Sequence, residues 1–109
     1  MKTIKYNKLI RDKIPQIIEA SGKKCKTRIL DEVEYKEHLK LKLQEELNEY
    51  LESDNVEELA DLYEVLKSIL DLENISLEEF NKIVDSKSDK RGGFKKRLLL
   101  IEVSEEDKE

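Results

Sequence analysis

Four acidic side chains in the middle of the chain are the residues best suited to do chemistry. They form two pairs with the same i,i+3 spacing, Glu46 with Glu49 and Glu58 with Asp61. Because each residue of an α-helix advances by about 100°, each pair lies on one side of its helix, offset in the same sense from the apolar stripe of that helix. If the two stripes face each other in a hairpin, both pairs lie on the same side of it. Four converging carboxylates would make an oxygen-only site for a divalent cation.

The heights of the two pairs along such a hairpin also agree. Counted from a turn near Asp54, Glu49 lies five residues back and Glu58 four forward. Glu46 lies eight residues back and Asp61 seven forward. The mismatch is about one helical rise, ~1.5 Å. Carboxylates this close repel one another unless a cation neutralises them, and oxygen ligands favour Mg²⁺ or Mn²⁺ over zinc. The alternative is a solvated acidic face, since 43% of the residues are charged.

Composition and length favour one small domain built from packed helices. The chain has 109 residues, only 6% of them aromatic, and no Trp, so its core must consist mainly of Leu and Ile. Three Gly and one Pro leave little material for the many turns of a β-sandwich. We therefore predict an all-α fold over residues 1–103, a hairpin or bundle of about four helices. The acidic residues 104–109 are expected to form a disordered tail, because they have nothing to bury.

Capping and turn residues predict where the helices begin and end. The predicted helices are residues 11–21, a long helix from the cap Asp31 to about Glu52, a third from Val56 to Leu72, and a fourth from the cap Ser76 to about Lys90. Gly92 and Gly93 should end the fourth helix. Residues 25–30 alternate and residues 97–103 form a short apolar run, so the pattern leaves room for a two-stranded β element between these segments.

The distribution of charge indicates the kind of ligand. The net charge is −5, which argues against a nucleic-acid polymer as partner, yet positive residues concentrate near both ends of the chain and the middle is acidic. An acidic metal centre flanked by basic arms suits a polyphosphate. No window approaches 18 apolar residues, so no membrane span is expected. With one cysteine, Cys25, and no apolar secretory signal at the start, a reducing cytoplasm is the expected compartment.

Three segments of the chain resemble a known family. The pattern EELNE at Glu45–Glu49, followed by ELAD at Glu58–Asp61, resembles the EExxE…ExxD signature of the all-α nucleotide pyrophosphohydrolases, the MazG-like superfamily. YNKLIRDKIPQII at Tyr6–Ile18 and KSDKRGGFKKR at Lys87–Arg97 resemble, more narrowly, its small phosphoribosyl-ATP pyrophosphohydrolase-like or house-cleaning branch. The resemblance extends from Tyr6 to about Arg97.

This resemblance implies an enzyme that cleaves a nucleoside triphosphate between the α and β phosphates, releasing a nucleoside monophosphate and pyrophosphate. It also implies a Mg²⁺ site, whose ligands would be Glu46, Glu49, Glu58 and Asp61. Glu45 would orient or deprotonate the attacking water, with a solvated helix residue as the alternative. The connection Tyr50–Glu57 is shorter than in well-studied members, which removes loop material that could contact a base, so the preferred substrate does not carry over.

If the resemblance holds, basic residues near both ends of the chain would approach the triphosphate. The alternative is that these residues are ordinary surface cations. These residues are Lys8, Arg11, Lys13, Lys87 and Arg91. Arg11 can hold a phosphate through two hydrogen bonds. Two further functions remain open, namely hydrolysis of another pyrophosphate bond, as in a phosphoribosyl nucleotide or a nucleotide sugar, and a non-catalytic helical interaction module. Because a single hairpin offers apolar surface on more than one face, a homodimer or a larger homo-oligomer is expected.

Overall fold

Four α-helices make up the regular structure of the computed structural model, which describes residues 2–107. They are α1 (Ile14–Ala20), α2 (Glu32–Ser53), α3 (Val56–Leu72) and α4 (Leu77–Arg91). The predicted all-α class is confirmed, and the predicted bounds of the helices agree closely with those observed. The chain forms two units, with α1 to α3 in the part up to Ser76 and α4 in the part from Leu77 onward. One domain over residues 1–103 stays a prediction.

The turn between α2 and α3 is only two residues long and produces a helical hairpin. Asp54 adopts the left-handed conformation, with φ of 54°, and its backbone N–H donates to the carbonyl oxygen of Tyr50. Asp tolerates this conformation better than most residues with a side chain. Asn55 then caps α3, because its side-chain oxygen accepts a hydrogen bond of 3.0 Å from the backbone N–H of Glu57. A connection this short requires the two helices to pack side by side.

The start of α2 is fixed by a cap and an ion pair. The Asp31 carboxylate accepts a hydrogen bond of 2.8 Å from the backbone N–H of Glu34, as the capping pattern predicts. The Arg28 guanidinium donates to both carboxylate oxygens of Glu34, at 3.1 and 2.7 Å. These hydrogen bonds from Arg28 are the main reason that the pKa of Glu34 falls from 4.5 to about 2.

A pH-dependent effect on stability is expected from Glu34. Since folding lowers its pKa, its ionised form stabilises the fold above pH 4.5, and this contribution is lost as the pH falls towards 2. Glu34→Gln should therefore lower the melting temperature at pH 7. The difference in melting temperature between the variant and wild type should disappear as the pH falls from 4.5 to about 2. Thermal unfolding followed by circular dichroism measures this, with Glu37→Gln on the same helix as the control. A difference that persisted unchanged at pH 2 would contradict the assignment.

The core of the first unit lies between α2 and α3. Leu39 is only 2% exposed, and Val65 and Leu70 on α3 are also buried. At the end of the hairpin away from the turn, Lys36 on α2 pairs with Glu73 just after α3, at 2.8 Å. Near the turn the helices bury less, and Leu47, Leu51 and Leu59 are exposed.

The second unit contains α4 and an irregular segment. None of the described residues of α4 is buried. Gly92 ends the helix with φ of 80°, and its N–H donates to the carbonyl oxygen of Ser88 at 2.7 Å, which confirms the predicted stop. Residues 104–107 are exposed and irregular, and residues 108 and 109 of the predicted tail lie outside the described residues.

The predicted β element is wrong. Neither residues 25–30 nor residues 97–103 form a strand in the part of the chain that the structure describes. Ile29 is 97% exposed and Leu98 is 85% exposed, so neither segment buries the apolar face that would stabilise a strand pair. Arg97, at the start of the second segment, has φ of 58°, which interrupts extended backbone there. No helix among residues 2–107 is both long and apolar enough to cross a bilayer.

Candidate metal centre

The hairpin brings the four acids of the two pairs together. Glu46 and Glu49 on α2 and Glu58 and Asp61 on α3 each offer one carboxylate oxygen, and these oxygens all lie within 4.8 Å of one another. We call these four residues the acid cluster. Because the turn is two residues long, the i,i+3 pairs of the two helices lie at matching heights, as their spacing predicts. The acid cluster could hold a metal ion.

Glu46 is the innermost residue of the acid cluster. It is only 7% exposed, and no other charged residue within residues 2–107 is buried. One carboxylate oxygen, Oε1, lies 3.4 Å from Nζ of Lys42. The other, Oε2, is buried and has no hydrogen-bond partner within residues 2–107. Burying a carboxylate oxygen without a partner is costly, and a coordinated cation would satisfy it.

Burial, together with the neighbouring carboxylates of the acid cluster, raises the pKa of two of its carboxyl groups. Burial raises the pKa of Glu46, and the neighbouring carboxylate of Glu49 raises it further. Partial burial also raises the pKa of Glu58, again with a further contribution from Glu49. The charged forms of Glu46 and Glu58 are therefore disfavoured in this environment. A divalent cation would reverse this effect, because it attracts all of the carboxylates at once.

The segment before α1 reaches both helices beside the acid cluster. Nζ of Lys8 lies 2.9 Å from Oε1 of Glu45 on α2, and Arg11 donates to Oδ1 of Asp61 on α3 at 2.6 Å. The hydrogen bond between Lys8 and Glu45 raises the pKa of Lys8 and lowers the pKa of Glu45. Two of the predicted phosphate-binding cations therefore lie next to the acids, together with Glu45, the residue predicted to act on water.

Lys42 is a member of this site that sequence reasoning missed. Its side chain is only 16% exposed, and its ammonium lies 3.2 Å from Oε2 of Glu45 and 3.4 Å from Oε1 of Glu46. It therefore bridges the two adjacent acids and holds one oxygen of the buried carboxylate. The signal was its spacing of three and four residues before Glu45 and Glu46, which places these side chains on one side of a helix.

The other three predicted phosphate-binding residues are exposed, one of them in the first unit and two in the second. Lys13 is exposed at the N-cap of α1. Lys87 and Arg91 are exposed on α4, in the second unit. Their role in substrate binding stays a prediction.

Comparisons of the chain with protein-family models, with curated proteins and with solved structures give no match. Membership of the MazG-like superfamily therefore stays a prediction from the three motifs. The structure itself defines a helical hairpin with a partly buried acid cluster that could hold a metal ion, next to cations that could bind an anion.

Proposed function

We propose that the chain is a Mg²⁺-dependent nucleotide pyrophosphohydrolase, which cleaves a nucleoside triphosphate or a related nucleotide between the α and β phosphates. The products are a nucleoside monophosphate and pyrophosphate. The observation that carries this proposal is the convergence of four carboxylates around a site where Glu46 keeps one buried oxygen without a partner. A solvated acidic face would not need to bury that oxygen, so this alternative explains the arrangement less well.

The donor set supports Mg²⁺ as the ion, with Mn²⁺ as a substitute. All four donor atoms of the acid cluster are carboxylate oxygens, with no His nitrogen or Cys sulfur in this set of four residues. Hard cations such as Mg²⁺ and Mn²⁺ prefer such ligands, whereas zinc favours nitrogen and sulfur. A bound ion of this kind would offset the charge on the phosphate oxygens and lower the pKa of a coordinated water.

The residues of the chain would supply binding and orientation. Glu45 adjoins the acid cluster, and Lys8 and Lys42 hold its carboxylate. Because Lys8 lowers the pKa of Glu45, this carboxylate is a weak base and is better suited to orienting the attacking water than to removing its proton. Lys8 and Arg11 would bind phosphate oxygens, with Lys13, Lys87 and Arg91 as further candidates.

A panel of nucleotides with Mg²⁺ tests the proposal. The full chain is incubated with the canonical triphosphates, with modified triphosphates, with a phosphoribosyl nucleotide and with a nucleotide sugar. Pyrophosphate, orthophosphate and the nucleotide products are measured separately. We expect Mg²⁺-dependent release of pyrophosphate, abolished by EDTA and restored by Mn²⁺. Release of orthophosphate alone, or no turnover of any compound, would contradict the proposal.

A second enzymatic function is favoured by the two-residue turn at Asp54 and Asn55. Such a turn offers little loop material for contacts to a base, so the same site would suit a pyrophosphate bond whose recognition depends on phosphate and ribose. In that case the panel would give turnover of the phosphoribosyl nucleotide or the nucleotide sugar without cleavage of triphosphates. If nothing is hydrolysed, a non-catalytic interaction module is the function that remains.

We also propose that the chain acts as a homodimer or a larger homo-oligomer. The exposed apolar side chains near the turn support this, because Leu47, Leu51 and Leu59 belong to the stripes that are buried further along the hairpin. A second copy could cover them. Light scattering that gave a monomer mass at micromolar concentration would contradict this proposal. The free thiol of Cys25 is compatible with a reducing compartment such as the cytoplasm.

A further inference from the structure

Arg11 makes the contact at the acid cluster that bears most directly on how the site works. Its guanidinium donates to Oδ1 of Asp61 at 2.6 Å, although the two residues lie 50 positions apart in the chain. Arg11 belongs to the segment before α1, which is irregular over residues 2–13. Lys8, on the same segment, pairs with Glu45 on the other helix of the hairpin. The segment therefore contacts both helices beside the cluster, and Arg11 contacts a member of the cluster itself.

A divalent ion and the Arg11 guanidinium would compete for the same carboxylate. Asp61 has one oxygen bonded to Arg11, and the oxygens of the acid cluster lie within 4.8 Å of one another. An ion coordinated by the cluster would therefore stand a few ångströms from the guanidinium, and the two positive charges would repel each other. The ion pair is open to solvent, since the side chains of Arg11 and Asp61 are 56% and 40% exposed. Exposed pairs are weak, so a divalent ion can displace this one.

Glu46 provides independent support that the cluster is built for a ligand other than Arg11. Its oxygen Oε2 is buried and has no hydrogen-bond partner among the described residues, even though Arg11 and Lys42 both contact the cluster. Arg11 and Lys42 therefore leave this inner oxygen unsatisfied. A small coordinated cation would satisfy this oxygen.

We propose that Arg11 is a built-in counter-cation of the acid cluster, which a divalent ion displaces from Asp61. The freed guanidinium then binds a phosphate oxygen of the substrate. The second step rests on the proposed function, whereas the first does not. The ion would thus convert Arg11 from a partner of Asp61 into a partner of phosphate, and the binding of metal and of polyphosphate would be positively coupled.

The affinity of the full chain for Mn²⁺ tests the first step. Isothermal titration calorimetry would compare wild type, Arg11→Gln and Lys5→Gln, the last of which removes one positive charge from the same segment and serves as the matched control. Without its competitor, the cluster of Arg11→Gln should bind Mn²⁺ about two- to fivefold more tightly, the range expected for loss of an exposed ion pair. Lys5→Gln should bind like wild type, and Arg11→Lys should be intermediate.

The side chain of Arg11 itself gives a second measurement that a merely structural role would not produce. In a ¹⁵N-edited spectrum, the Nε–H signal of Arg11 should shift on addition of Mg²⁺, with the same midpoint as the backbone signal of Asp61. Arg28 is the internal control, because it forms an ion pair of 2.7 Å with Glu34 near the start of α2. Its Nε–H signal should stay where it is.

The outcomes separate this inference from the proposed function. If wild type binds Mn²⁺ and hydrolyses nucleotides while Arg11→Gln binds Mn²⁺ no more tightly, the displacement is overturned and the hydrolase proposal stands. If Arg11→Gln binds more tightly and the Arg11 signal moves, yet no nucleotide is hydrolysed, the displacement stands and the proposed function fails. If neither wild type nor Arg11→Gln binds Mn²⁺, both are overturned.

Discussion

Replacing Glu49 by Gln and Asp61 by Asn together is expected to abolish binding of divalent ions and to reduce hydrolysis by roughly 10³-fold or more. Each substitution keeps the size of the side chain but removes a charged oxygen from the acid cluster, one from each helix. Two measurements check the result, the rate of pyrophosphate release and the rise in melting temperature that Mg²⁺ produces. Wild type should show a rise, because a ligand that binds only the folded state stabilises it, and the double variant should show none.

A matched control exists on the same two helices. Glu52→Gln with Asp71→Asn makes the same chemical changes at exposed positions outside the acid cluster, and this variant should keep both the activity and the response to Mg²⁺. In the absence of divalent ions the variant of the cluster should unfold at about the same temperature as the control, since the loss of repulsion among the carboxylates offsets the loss of the exposed ion pair between Arg11 and Asp61. An equal response to Mg²⁺ in both variants would remove the acid cluster from the mechanism.

Leu39→Ala is expected to lower the free energy of unfolding by about 2–5 kcal/mol. Leu39 is 2% exposed and is the most deeply buried side chain of the hairpin, so its truncation leaves a cavity between α2 and α3. The stability of a small domain is only about 5–15 kcal/mol, so this loss would be a large part of the total. Urea denaturation followed by circular dichroism, at a fixed Mg²⁺ concentration, measures it.

Leu41→Ala is the control for this substitution. Leu41 lies two residues further along α2 and is 64% exposed, so the same truncation there should cost less than about 1 kcal/mol. Both variants keep the helix propensity of the position, because Ala forms helix as readily as Leu. A similar loss of stability in the two variants would mean that burial at Leu39 does not hold the hairpin together.

The helices and the convergence of the acids were predictable because both follow from local rules. Asp31 and Asn55 cap the helices through bonds to residues two or three positions away, so their effect can be seen in a short stretch of sequence. The heights of the acid pairs depend only on the helical rise and on the length of one turn. The structure therefore places Glu46, Glu49, Glu58 and Asp61 where the spacing predicts.

The β element and the partner of Arg11 depended on contacts between distant residues. The β element required residues 25–30 to pair with residues 97–103, and neither segment forms a strand in the described part of the chain. The contact of Arg11 with Asp61 joins residues 50 positions apart, so the pattern could indicate an anion partner for Arg11 but not this carboxylate. Lys42 has a local signal, but spacings of three and four residues between a lysine and a glutamate are common on any solvated helix face and do not by themselves indicate a site.

The two-residue turn between Ser53 and Val56 also limits where the chain can tolerate an inserted residue. One extra residue there would rotate α3 by about 100° about its axis relative to α2 and shift it by about 1.5 Å. The carboxylates of α3 would then point away from those of α2 while every side chain remained intact. The alignment of the ligands is thus encoded in the backbone, and insertions at this tip, although it is open to water, are far less tolerable than at an ordinary surface loop.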